Sequence, residues 1–224
     1  MNNILVSVLA GLGGMIGWGA SDFFASQASN KIGNFKTLFW SQVAGLLTVL
    51  ALVPIFGFHT SVNLLNVFYI GAVSILYTVG YLLFYKAFEV GNISVVSITI
   101  NLNMVIAVIL AVIFSHQSLT LKHLLAIVMI FTGISLVSLN LDDLRNKKIT
   151  VLSGVKEAIG AAVAFGVALT LSEYVAEAIG WLETTAFIKL GLVILLLIAT
   201  LIWRNKLSLS LSLFAVHLIE QRLY

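Results

Sequence analysis

The sequence predicts an all-α integral membrane protein, a transmembrane helix bundle of about seven spans. Three observations lead there. Of its 224 residues 60% are apolar and 9% charged, whereas a soluble domain runs near ~45–50% apolar and ~25% charged. The mean hydropathy of +1.10 is correspondingly high. The apolar residues also fall in unbroken runs of about 20, the length of a helix crossing hydrocarbon and twice the ~10-residue alternating segments of a membrane barrel. Finally, one Pro and 17 Gly suit long helices in close contact. The absence of cysteine excludes a disulfide framework, a thiolate metal site and a cysteine nucleophile.

The runs are 4–25, 38–58, 64–85, 93–114, 121–139, 155–175 and 184–203. The first follows Met1-Asn2-Asn3, a leader without a basic residue. It is too long for the apolar stretch of a signal peptide and reads as a retained helix. Short polar loops join most of the others. After the seventh, 207–219 alternates Leu and Ser at its start; it is too short to span and reads as interfacial.

Charge orients these spans, because cytoplasmic loops retain Lys and Arg. Lys31, Lys36, Lys86, Arg145, Lys147, Lys148, Lys156, Arg204, Lys206 and Arg222 fall on one side, against Lys122 on the other. Ten against one predicts a multi-pass cell-membrane protein with an outside amino terminus and a cytoplasmic 140–154 loop. The net charge of +3 is thereby accounted for without nucleic acid.

A shift of 147 aligns the first run with the sixth: Gly13 on Gly160, Trp18 on Phe165, Gly19 on Gly166, Ile32-Gly33 on Ile179-Gly180 and Thr37 on Thr184. The small residues Gly13, Gly17 and Ser21 fall on Gly160, Ala164 and Ala168, so a close-packing face repeats along with the letters. Five spans separate the copies, so the second enters the membrane in the opposite sense. The division is then 1–139 as a five-helix repeat, 140–154 as a connecting loop, and 155–224 as two helices of an incomplete second repeat with a short tail. A full second copy would extend to about 286 (the first copy's end plus the same 147), so the 224 residues are expected to be a fragment or to end out of frame. By themselves they are expected not to transport. Homodimerisation through Gly13/Gly17 and Gly160/Ala164 would supply the missing wall.

Gly80-Tyr81-Leu82-Leu83-Phe84-Tyr85-Lys86-Ala87-Phe88, the run from Asn92 through Phe114, Leu119-Thr120 and Gly133 resemble successive helices of the EamA family of the drug/metabolite transporter superfamily. Trp18-Gly19, Phe23-Phe24 and Ile32-Gly33 resemble its first helix and following loop. The resemblance covers 4–139 and extends more weakly over 151–203. It implies two inverted five-helix repeats and secondary transport of small organic metabolites by alternating access. Met104 stands where the family often has Pro, and His116-Gln117 where it often has Gly-Glu. The family's expected cytoplasmic termini run against the charge count.

Polar side chains inside spans are costly and face an interior or a partner. Gly71, Ser74, Thr78, Tyr81 and Tyr85 recur at steps of three and four, as do Ser94, Ser97 and Asn101, with Asn103 on a neighbouring face. The predicted substrate wall is Thr78, Tyr81, Tyr85, Ser97, Asn101 and Asn103, joined by Trp18 and by Asp22, the one carboxylate within the first repeat's spans. Asp22 could equally pair with Lys31 or reach interfacial water. Lys189 is expected to pair with Glu173 across the last hairpin. Gly11-Leu12-Gly13-Gly14 fails the dinucleotide pattern at Ile16 and lies within a helix. His59, His116, His123 and His217 lack metal spacing, and Asn92-Ile93-Ser94 is a glycosylation motif at a span boundary. No nucleophile–base set is visible, so no enzyme, cofactor or metal is expected. The partners are lipid, a small-molecule substrate and a second copy. The alternative is a seven-helix receptor, or a retinal-type protein using Lys189, which lacks a carboxylate counter-ion in the third span.

Overall fold

The computed structural model describes residues 3–58, 62–115, 120–138 and 152–203. Among them run eight helical segments and no strand: α1 (Asn3–Ile32), α2 (Asn34–Phe56), α3 (Leu64–Val90), α4 (Ile93–Ile100), α5 (Leu102–Ser115), α6 (Leu121–Ser138), α7 (Val155–Ile179) and α8 (Trp181–Trp203). Five stretches are long and apolar enough to cross a bilayer: Asn34–Phe56, Leu64–Val90, Ile93–Phe114, Val155–Ile179 and Trp181–Ile202. Leu124–Gly133 is a shorter apolar helix, and α1 has the length at 30 residues. The chain is a multi-pass membrane helix bundle. The 207–219 segment and most of the 140–154 loop lie outside the described residues.

The helices outrun the apolar stretches. α1 continues to Ile32, α3 to Val90 and α7 to Ile179, because leaving hydrocarbon does not end helical hydrogen bonding. On α3 the extra turn carries a surface ion pair, Lys86 Nζ to Glu89 Oε2 at 3.1 Å. Asn63 caps α3 by accepting from the Asn66 N–H at 2.8 Å. Asn92 caps α4 by accepting from Ser94 at 2.9 Å, a structural role for the Asn of the glycosylation motif.

The span expected as one helix over 93–114 is broken at Asn101. Its N–H bonds the Ile98 carbonyl at 3.2 Å, three residues back rather than four, and Met104 N–H bonds the Asn101 carbonyl at 3.1 Å. The Ser97 carbonyl therefore loses its usual helical donor. The Asn101 side-chain amide replaces it, donating at 3.1 Å. The same residue makes the break and heals it.

α7 sits at the centre, packed on α3 along its length and on α5. Its contact face is made of Ala158, Ala161, Ala162 and Ala168, all with no exposed surface. Such small residues let neighbouring backbones approach where no hydrophobic force drives helices together. Phe165 interlocks from the same face with Phe84, Phe88 and Leu38 in the main core cluster. α2 packs on α8.

Residues 147 apart occupy equivalent places. α2 and α8 each have 23 residues, with bounds offset by 147 at both ends. The glycines before them, Gly33 and Gly180, have φ of 87° and 100°, a left-handed conformation that only glycine adopts readily. Thr37 and Thr184 then each donate a hydroxyl back to that glycine's carbonyl, at 2.9 and 2.7 Å. The two helices run antiparallel. Phe56 at the end of α2 meets Trp181 at the start of α8 with ring centroids 5.7 Å apart, while Gln42, earlier on α2, bonds Lys189, later on α8.

The environments of α1 and α7 differ. Trp18 is 63% exposed and its equivalent Phe165 only 7%. Nothing lies within 4 Å of a Cβ built on Gly11, Gly13, Gly14, Gly17 or Gly19. On α7 a Cβ at Gly160 meets Leu83 at 3.1 Å, and Ala164 is buried. Within the chain Gly160 therefore faces Leu83 of α3, while the Gly13/Gly17 face is open.

Candidate functional site

Two adjoining cavities lie inside the bundle. The smaller, about 230 Å³, is lined by Trp18, Asp22, Tyr81, Tyr85, Asn101 and Asn103, with Tyr77, Phe165 and Met104 among their neighbours. The larger, about 510 Å³, is lined by Lys189, Glu173, Ser172, Thr184, Thr185 and Trp181 among others. Tyr77, Tyr81, Met104 and Leu169 line both and form the partition. The larger volume lies within the ~300–1,000 Å³ range of small-molecule pockets and the smaller just below it.

Six of the eight sequence-predicted residues converge on the smaller cavity. α1 presents Trp18 and Asp22, α3 presents Tyr81 and Tyr85, and the α4–α5 break presents Asn101 and Asn103. In an unbroken helix Asn101 and Asn103 would point about 160° apart, whereas at the break both line this cavity. Ser97 is adjacent to the Asp22 carboxyl. Asn103 Oδ1 is a buried oxygen with no hydrogen-bond partner among the described residues, and such a group seeks one.

Thr78 goes elsewhere. It is buried and donates to the Ser74 carbonyl at 2.7 Å, while Ser74 itself is packed where Gly191 of α8 leaves room. The upper half of the α3 stripe therefore seals a helix contact rather than lining a cavity. Tyr85 shares a 3.0 Å hydrogen bond with Ser41 of α2, which fixes its ring at the cavity edge.

The expected Glu173–Lys189 pair is not formed. Lys189 Nζ instead donates to Gln42 Oε1 at 2.8 Å, across the α2–α8 contact. Gly45 creates the opening: a Cβ there would lie 3.1 Å from Nζ. The ammonium also stands 5.9 Å from the Tyr81 ring centroid, within cation–π range, and the Tyr81 hydroxyl is beside Gln42. Asp22 and Lys31 form no ion pair either.

Sequence reasoning missed Tyr77, Ser172, Thr184, Thr185 and Trp181 as cavity residues, and Gln42 as the partner of Lys189. Tyr77 stands one helical turn before Tyr81 and could have been added to the stripe. Gln42 and Lys189 were visible as repeat equivalents, and equivalents that touch mark the pseudo-twofold axis. Phe165 crosses between cavity and core, its ring 4.8 Å from Tyr81. His116 and Gln117 lie outside the described residues.

The arrangement offers hydroxyls, amides, one carboxylate and one ammonium around an aromatic partition. Among the described residues no cluster of side chains could hold a metal ion. The family model for EamA-like transporters matches residues 5–139. No curated protein and no solved structure matches the chain.

Proposed function

The chain belongs to the EamA-like transporter family, and from that premise we propose that it is a secondary transporter of small polar organic metabolites working by alternating access. The observation that carries this reading is the antiparallel pairing of α2 with α8 through Gln42 and Lys189, residues 147 apart. Inverted repeats that meet at a shared site can exchange roles, and that exchange opens the site to one side and then the other.

The substrate sits between α1, α3, the α4–α5 break and α7, against the aromatic partition. Trp18, Tyr81 and Tyr85 supply apolar faces, Asn101 and Asn103 supply amide hydrogen bonds, and Asp22 with Ser97 supplies acceptors. Asn103 Oδ1, buried without a partner among the described residues, is the oxygen a polar ligand would satisfy. An unmet buried group costs about 1–3 kcal/mol.

Reconstitution into proteoliposomes with amino acids, sugars and nucleosides tests the reading. Saturable flux of at least one class is expected, which would overturn the sequence-based expectation that these residues do not transport by themselves, and Asn103→Ala should weaken it while the protein stays folded. Flux indistinguishable from protein-free vesicles for every class would end the reading. Flux insensitive to changes in both Asn101 and Asn103 would move the site elsewhere.

A further inference from the structure

Lys189 is an ammonium placed inside a membrane-spanning helix without an anion. No carboxylate of the described residues is within ion-pair distance of it. An ammonium has three N–H donors, and Gln42 accepts one, at 2.8 Å. The Tyr81 face at 5.9 Å adds a further weak attraction. The remaining donors have no acceptor among the described residues, and the side chain lines the cavity of about 510 Å³. A charge held this way in a low-dielectric setting is costly unless an anion joins it.

We infer that the Lys189 ammonium receives a carboxylate of the transported molecule in this larger cavity, a second station across the Tyr77–Tyr81 partition from the site proposed above; the assignment rests on the transporter reading. A single positive charge suits a monoanion; a doubly charged phosphate would leave an excess negative charge inside the membrane. Gln42 holds the ammonium while remaining neutral, so it orients Nζ without cancelling its charge. Gly45 provides the notch in which Nζ sits. The Thr184 and Thr185 hydroxyls donate to their own helix at 2.7 Å each, which leaves oxygen lone pairs free to accept from a ligand.

Two kinds of solute carry the required group, a simple organic acid and an amino acid. Glu173 lines the same cavity without touching Lys189, so it is placed to take an ammonium at the other end of a zwitterion. The shared chemistry is the carboxylate, and the experiment separates the sources.

The test is equilibrium binding to residues 1–224 in lipid nanodiscs, with leucine, 4-methylpentanoate and leucinamide as probes. Leucine and 4-methylpentanoate should bind and leucinamide should not. Lys189→Gln, whose amide can still donate to Gln42, should weaken both carboxylates by roughly tenfold or more, while Lys189→Arg retains most of the affinity. Glu173→Gln should weaken leucine alone if the amino acid is the source, and neither if the organic acid is. Leucinamide binding as well as leucine, carboxylate affinity unchanged in Lys189→Gln, or no binding of any probe to folded wild-type protein would each overturn the assignment. Saturable flux of a sugar or nucleoside alongside any of those results would leave the transporter reading standing.

Discussion

Asn101 shows how one side chain can set a local backbone path. Its amide closes on the Ser97 carbonyl at 3.1 Å, which the broken helix would otherwise leave without a donor. Asn101→Ala should therefore cost about 1 kcal/mol, measured as a lowered melting temperature in detergent. Gly80 is a second such point. A Cβ there would lie 2.5 Å from the Phe165 ring, and Phe165 is locked between α3 and α7. Gly80→Ala should destabilise by about 1–3 kcal/mol through overpacking. Adding Phe165→Leu should recover part of the loss in the same melting experiment.

The residues of the site were largely legible from spacing, because a helical period places Tyr81, Tyr85 and the two asparagines on identifiable faces. What spacing could not say is which neighbour each face meets. Thr78 belongs to the same stripe as Tyr81, yet it is buried on the Ser74 carbonyl of its own helix, one turn from where Gly191 of α8 admits Ser74. Lys189 was assigned to Glu173 because both flank one hairpin. The notch at Gly45 instead drew it toward α2, an element far away in sequence.

At the scale of helices, the repeat supplies a matched pair of experiments. Ala161 on α7 is fully buried, while its equivalent Gly14 on α1 has nothing within 4 Å of a built Cβ. Ala161→Leu should destabilise the bundle by about 1–3 kcal/mol, since an overfilled contact forces backbone shifts. Gly14→Leu should leave the melting temperature of the isolated chain unchanged or raise it slightly, because leucine favours helix over glycine by several tenths of a kcal/mol. The two substitutions differ in whether another helix is already there and in starting from Ala or from Gly. α1 and α7 thus share a sequence pattern and differ in partnership.

For the whole molecule, the open face of α1 sets an expectation about assembly. Cysteine introduced at Gly17 should cross-link between copies in a membrane, whereas cysteine at Ala164, buried at 8% exposure, should not. Equal cross-linking at both positions, or at neither, would remove α1 as the self-association face. Orientation is checked separately. Cysteine at Asn146, beside Arg145, Lys147 and Lys148, should resist an impermeant reagent in intact cells. Labelling there would reverse the topology inferred from charge.

The sequence by itself determined the class of molecule, the approximate limits of most of its helices, the 147-residue correspondence of α2 with α8 and the faces on which polar groups gather. These follow from composition and from periodicities that act over one or two helical turns. Only the tertiary structure decided that α7 is central and α1 open, that Thr78 lines neither cavity, and that Gln42 holds Lys189. In lipid the apolar surface of one helix resembles that of any other, so pairing is chosen by the fit of small residues such as Ala161, Gly45 and Gly191 against particular side chains. That fit depends on which helices come together in space, and no single helix carries the information.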